Sequence, residues 1–179
     1  MSKSPQQRAV FLVGFMGAGK TAVGQALAKQ LGLRFIDLDE QIERHAKRSI
    51  ADIFETSGEA AFRKLETEKL SEVLQQLSRG RPAVVALGGG AFVQRENVEK
   101  LRQAGARVVF LDAPLEELLR RCHARGEPSR PLLESDAEAL NILYAERRPL
   151  YLAAETTVQT SGKSVAEVAD EVERWVNAR

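Results

Sequence analysis

The 179-residue chain has one cysteine, Cys122, so it cannot form an internal disulfide or a cysteine metal cage, and a reducing compartment is expected. Its two histidines, His45 and His123, have no partner at metal-ligand spacing and read as structural or surface residues. Aromatic residues make up only 6%, and Trp175 sits in a C-terminal helical pattern where packing is its expected role. An excess of either charge is also lacking: 26 basic against 25 acidic residues give a formal net charge of +1, which gives no bulk attraction to nucleic acid or an anionic membrane. No apolar run approaches the ~20 residues of a membrane-spanning helix, and the polar start of the chain lacks a signal-peptide core. These absences lead to the expectation of a cytoplasmic, single-domain protein spanning residues 1–179, a monomer in default of any dimer seam.

What is present is an alternation of short apolar runs with longer amphipathic ones. Strands are expected at Ala9 to Val13, Arg34 to Asp37, Ala83 to Leu87, Ala106 to Leu111 and Thr156 to Gln159. Helices are expected from Lys20 to Leu31, from Gln41 to Leu77 with breaks near Ser49 and at Ser57-Gly58, and over Asn97 to Gln103, Leu115 to His123, Ala137 to Tyr151 and Ser164 to Val176. Such alternation predicts an α/β, three-layer fold: a parallel five-stranded sheet with helices on both faces. Ligands of such sheets bind at the carboxyl ends of the strands.

The most specific motif lies at the first of those ends. Gly14-Phe15-Met16-Gly17-Ala18-Gly19-Lys20-Thr21 fits GxxxxGK[ST] between a strand and a helix. The glycines admit close approach to backbone N–H groups, and the helix N-terminus adds positive potential. Lys20 is placed to reach the β- and γ-phosphates of a nucleoside triphosphate, and the Thr21 hydroxyl to ligate Mg²⁺. Gly17, Ala18, Gly19, Lys20, Thr21 and Ala22 are the expected nucleotide contacts.

Two carboxylates, Asp37 and Asp39, follow at the end of the second strand. In an extended segment alternation sends both to one side, where one carboxylate near the metal and one on an acceptor hydroxyl would suit a small-molecule kinase. The competing reading is that Asp39 caps a helix beginning near Glu40. Gly88-Gly89-Gly90 after the third strand is either bare backbone for a ligand or a tight turn. Arg63 and Arg147 lie in amphipathic helices and, taken singly, read as ordinary helix arginines. Arg130 instead lies in a Gly/Pro-rich segment, 125–131, of a composition suited to a lid that excludes water and brings a planar cation onto phosphate oxygens.

Together GFMGAGKT, the DLD at Asp37 to Asp39, SIADIFETSGEAAFRKLE from Ser49 to Glu66, LGGGA from Leu87 to Ala91, RPLL from Arg130 to Leu133 and ERRPLY from Glu146 to Tyr151 resemble shikimate kinase, in the family's order, from about Val10 to about Tyr151. The resemblance implies a nucleoside monophosphate kinase type of P-loop fold with a mobile lid at about 124–138 and substrate-binding helices at about 40–66. It implies transfer of the γ-phosphate of ATP to the 3-hydroxyl of shikimate, a step toward chorismate and the aromatic amino acids, with one Mg²⁺. ATP and shikimate are the implied partners. By the same resemblance Asp39 holds the shikimate hydroxyls, Arg63 and Arg147 clamp its carboxylate, and Gly88, Gly89 and Gly90 run along it, Gly89 closest. Phe54 and Phe62 wall the pocket, Asp37 lies near the metal with Thr21, Arg130 reaches the ATP phosphates from the lid, and Arg121 lies against adenine. Lys20, Asp37, Asp39 and Arg130 are the implied catalytic set. The segment from Ser161 to Val165 lacks a proline that some relatives place against adenine, and the lid aligns with a small insertion relative to some of them. Two alternatives remain: another kinase of the same fold acting on gluconate or a nucleoside monophosphate, and a non-catalytic, shikimate kinase-like sensor.

Overall fold

A computed structural model describes residues 9–124 and 137–178. Five strands, β1 (Val10–Val13), β2 (Arg34–Asp37), β3 (Ala83–Ala86), β4 (Arg107–Asp112) and β5 (Thr156–Gln159), form one parallel sheet in the order β2-β3-β1-β4-β5. Every residue of β1, β3 and β4 is buried, so the sheet centre is covered on both faces; β1, β3 and Val108 to Leu111 of β4 read as continuous apolar runs rather than alternating ones, with buried charged residues at the two ends of β4. The helices are α1 (Lys20–Leu31), α2 (Leu38–Ala46), α3 (Ile50–Ser78), α4 (Arg95–Gln103), α5 (Leu115–Ala124), α6 (Ala137–Tyr151) and α7 (Val165–Asn177). A short 3-10 turn, Ala91–Val93, follows β3.

The sheet order puts β1 between β3 and β4, with the chain departing to β2 on one side and β5 on the other. The crevice beyond the carboxyl end of β1 is therefore the switch point at which sheets of this type bind ligands. The glycine-rich loop emerges there.

Two breaks expected in the long helical stretch are present. Ser49 opens α3 with a capping box: its side chain accepts from Asp52 N–H while the Asp52 carboxylate accepts from Ser49 N–H. Gly58 then leaves helical geometry (φ 79°, ψ 169°) and kinks α3 between Phe54 and Phe62. One boundary differs from expectation. α2 starts at Leu38, directly after β2, because the Asp37 carboxylate accepts from the N–H groups of Asp39 (3.1 Å) and Glu40 (3.4 Å). Asp37, not Asp39, is the N-cap, and Asp39 belongs to the first helical turn. The expected strand-like alternation of the two carboxylates is thus replaced by a cap and a first-turn acid, which the helix dipole also favours.

Of the expected lid, Ala124 closes α5 and Ala137 and Glu138 open α6; residues 125–136, including Arg130, lie outside the described residues. Among the described residues no helix is long and apolar enough to cross a membrane.

Candidate active site

The phosphate cradle is a loop held from beneath. Gly17 has φ +75°, and a Cβ there would overlap the carbonyl oxygen of Leu118 and lie 3.0 Å from Cys122 Sγ, so α5 packs directly under the loop and only glycine fits. α1 begins from Gly19 with no side-chain cap and no acidic residue in its first turn. Its initial N–H groups and dipole are left to an anion. Lys20 folds back so that Nζ donates to the carbonyls of Gly14 (2.9 Å) and Phe15 (3.0 Å), which holds the ammonium over the loop. Ala18 is buried beneath the loop, and Ala22 continues the first turn.

Thr21 connects this cradle to the second carboxylate group. Its hydroxyl donates to Asp37 Oδ2 (2.8 Å), while Asp37 Oδ1 caps α2. A hydroxyl oxygen that gives its proton to a carboxylate keeps lone pairs for a cation. One such oxygen beside a phosphate cradle fits Mg²⁺, which the Thr21 hydroxyl would help to hold there.

A second cluster forms where the turn after β3 meets α2, α3 and α6. Gly88, Gly89 and Gly90 are approached there by polar side chains from three helices. A Cβ on Gly88 would lie 2.5 Å from Asp39 Oδ1 and 2.9 Å from Glu66 Oε1. A Cβ on Gly89 would lie 3.7 Å from Arg147 Nη1. A Cβ on Gly90 would overlap the guanidinium of Arg63. Gly88 and Gly90 are therefore required by the side chains packed on them, whereas Gly89 makes only ordinary contacts; the stretch is also a tight turn, in which Ala91 N–H donates to the Gly88 carbonyl (3.0 Å). Arg63 and Arg147, unremarkable singly, face one turn. Phe62 is buried beside Phe54, ring centroids 4.8 Å apart, and the Arg63 guanidinium lies 5.2 Å from the Phe62 ring centre.

Sequence reasoning passed over several residues here. Glu66 is fully buried; its Oε2 accepts from Arg63 Nη1 (2.8 Å) and Gln94 Nε2 (2.7 Å). Its Oε1 has no hydrogen-bond partner among the described residues. Burial pushes the Glu66 carboxyl up to about 7; Arg63 and, less strongly, Arg147 oppose this, and Asp39 adds to it. Tyr151 donates to the Gly89 carbonyl, and burial pushes its phenol up to about 12. The i, i+3 spacing of Arg63 and Glu66 was a legible signal. Gln94, 28 residues from Glu66 in sequence, gave none.

Arg121, on α5, donates to the hydroxyl (2.9 Å) and carbonyl (2.9 Å) of Thr160 and pairs with Glu117. It thus lies at the carboxyl end of β5, on the same rim of the sheet as the cradle. Arg148, beside Arg147, makes a bidentate pair with Asp112 at the end of β4 (2.7 and 3.2 Å), and Tyr144 donates to the Ala113 carbonyl (2.9 Å). These bonds fix α6 against the sheet and so set the direction of Arg147.

A β2-β3-β1-β4-β5 parallel sheet with a phosphate cradle after β1 and a polar acceptor cluster after β3 defines a small-molecule kinase of the P-loop class. The comparisons narrow this. The family model described as shikimate kinase matches residues 16–177, and the chain belongs to the shikimate kinase family. It is 44% identical over 178 residues to the shikimate kinase of Geobacter sulfurreducens, covering 98% of this chain and 94% of that one. Its fold matches that of shikimate kinase from Acinetobacter baumannii in complex with shikimate, with TM-score 0.86 and 38% identity over 96% of this chain and 93% of that one. A gluconokinase from Sinorhizobium meliloti shares the fold alone, with TM-score 0.63 at 21% identity, over 99% of this chain and 94% of that one.

Proposed function

We propose that this chain transfers the γ-phosphate of ATP to the 3-hydroxyl of shikimate, giving shikimate 3-phosphate and ADP. The observation that carries the reading is the convergence of Asp39, Arg63 and Arg147 on Gly88 to Gly90, within one crevice of the phosphate cradle. A polyhydroxy acid needs a carboxylate for its hydroxyls and cations for its carboxylate, and this cluster offers both.

In this reading Gly17, Ala18, Gly19, Lys20, Thr21 and Ala22 hold the triphosphate. Asp39 accepts from the acceptor's hydroxyls, and Arg63 and Arg147 hold its carboxylate. Phe54 and Phe62 present apolar walls, and Arg121 lies beside the nucleotide base. A single Mg²⁺ on the Thr21 hydroxyl, oriented by Asp37, would neutralise phosphate charge. Lys20 leaves its carbonyl partners to meet the charge that develops on the transferred group, and stabilisation of that charge is the main catalytic effect available here. Asp37 already accepts from Thr21, Asp39 and Glu40, so its role is to position rather than to remove a proton. The described residues act as one kinase domain, which we take as a monomer working on two small molecules.

Following ADP release with shikimate, gluconate or a panel of nucleoside monophosphates as acceptor tests the reading. ADP formed with shikimate alone is expected. Turnover with gluconate instead would assign the cluster to another acid, and tight ATP binding without turnover would leave a sensor.

A further inference from the structure

The acceptor cluster contains a side chain that has no part in the reading above. Gln94 ends the 3-10 turn that continues Gly88 to Gly90, and its amide reaches back across the turn to Glu66 on α3. It donates to Oε2, the same oxygen that receives Arg63 Nη1. The other side of the Arg63 guanidinium is held by Glu59, which accepts from Nε (3.2 Å) and Nη2 (3.1 Å). Glu59 is largely exposed, whereas Glu66 is buried. A water-exposed ion pair fixes geometry weakly, so the buried bond from Glu66 sets the position of the guanidinium. These three bonds leave one N–H on Nη1 and one on Nη2, and both terminal nitrogens lie over Gly90.

We propose that Gln94 is a positioning residue: by fixing Glu66 Oε2 it holds the Arg63 guanidinium over Gly90 with two N–H groups turned to the carboxylate of the acceptor. The inference rests on the reading of Arg63 as a carboxylate clamp. The other oxygen of Glu66 has no partner among the described residues, so every hydrogen bond that orients this carboxylate there falls on Oε2, and Gln94 is the donor besides Arg63. Gln94 supplies that donor from a different element, so the glycine turn and α3 are set in register by one oxygen.

The bracket is also sensitive to protonation. Glu66 is faced by Arg63 and, through it, Glu59 on α3, by Asp39 on α2, by Arg147 and Tyr151 on α6, and by the uncharged amide of Gln94. An amide N–H favours the ionised carboxylate. Loss of that donor extends the protonated, unfixed state of Glu66 to higher pH.

Gln94→Met keeps length and removes the amide. It is expected to raise the KM for shikimate on the order of fivefold at neutral pH, less than for a lost direct bond to a charged group because Gln94 acts through Glu66 and Arg63, with the KM for ATP and kcat little changed. The shikimate KM of the unaltered enzyme is expected to rise as pH falls through about 7, and this rise should begin at higher pH in Gln94→Met. Glu66→Gln, which cannot titrate, should flatten that pH dependence. Arg63→Ala separates the two levels of the argument. If Arg63→Ala leaves the shikimate KM unchanged, the clamp reading fails. If Arg63→Ala raises it while Gln94→Met and Glu66→Gln match the unaltered enzyme at every pH, the clamp stands and the positioning role of Gln94 is overturned. Thermal melting of each variant identifies any that lose the fold, and Glu66→Gln tests the bracket should Gln94→Met do so.

Discussion

Lys20 shows how much a single side chain does. Its ammonium bonds two carbonyls of the loop it serves, so Lys20→Met removes both a loop brace and the cation for the transferring phosphoryl group. Turnover should fall by roughly a hundredfold or more, the scale for losing one charge-stabilising donor. A titration of nucleotide binding alongside distinguishes lost binding from lost chemistry. Gly90→Ala tests the opposite side of the crevice. Its new Cβ would displace Arg63, so the shikimate KM should rise while the KM for ATP holds. Glu66 gives a pH dependence of stability. Its folded-state value, about 7, is above its ordinary 4.5, so the folded state binds the proton more tightly. The stability it contributes is fully present below about 4.5 and is lost as pH rises through about 7. Melting temperature against pH for the unaltered chain and Glu66→Gln should diverge over that window, the variant gaining relative stability toward alkaline pH.

At the scale of elements, the legible parts were those with local causes. β1, β3 and the middle of β4 are apolar runs, α1 has its Gly32 terminus, and α3 has Ser49 and Asp52 three apart; each was readable because the cause lies within a few residues. The start of α2 was not, because either Asp37 or Asp39 suits a cap and the choice depends on where β2 stops pairing with β3. Arg63 and Arg147 entered as site residues through family resemblance, whereas the glycine turn was open to a ligand reading from its residue type alone. Their meeting is tertiary, as are the Glu66–Gln94 and Asp112–Arg148 ties, and no local spacing announces a contact between distant elements. The last of these ties carries a prediction. Arg148→Ala leaves the buried Asp112, among the described residues, with Gln159 as its side-chain donor. With the partly exposed arginine discounted, the cost should be about 1–2 kcal/mol, read from denaturant unfolding. Because α6 then loses one of its ties to the sheet while Tyr144 and Tyr151 remain, Arg147 should be held less well and the shikimate KM should rise modestly.

At the scale of the whole molecule, the described residues of the proposed site gather on one rim of the sheet. Cradle, cap and acceptor turn follow β1, β2 and β3, and Arg121 meets the loop after β5. In the proposed function both small molecules bind the assembled rim, so each should raise the melting temperature. At a hundredfold excess over its dissociation constant, shikimate should add about 2.7 kcal/mol, measurable by a thermal shift that gluconate does not reproduce.

The sheet order has a further consequence, for the chain as it is made. β1 is synthesised first yet lies at the centre, where Val10 pairs with Val84 on one side and Arg107 on the other. Until β3 has left the ribosome an entirely apolar strand has two unsatisfied edges, and until β4 follows it still has one. The crevice that holds the phosphates therefore cannot form early in synthesis, and a nascent chain stalled before β4 exposes the segment most prone to pair with a neighbour.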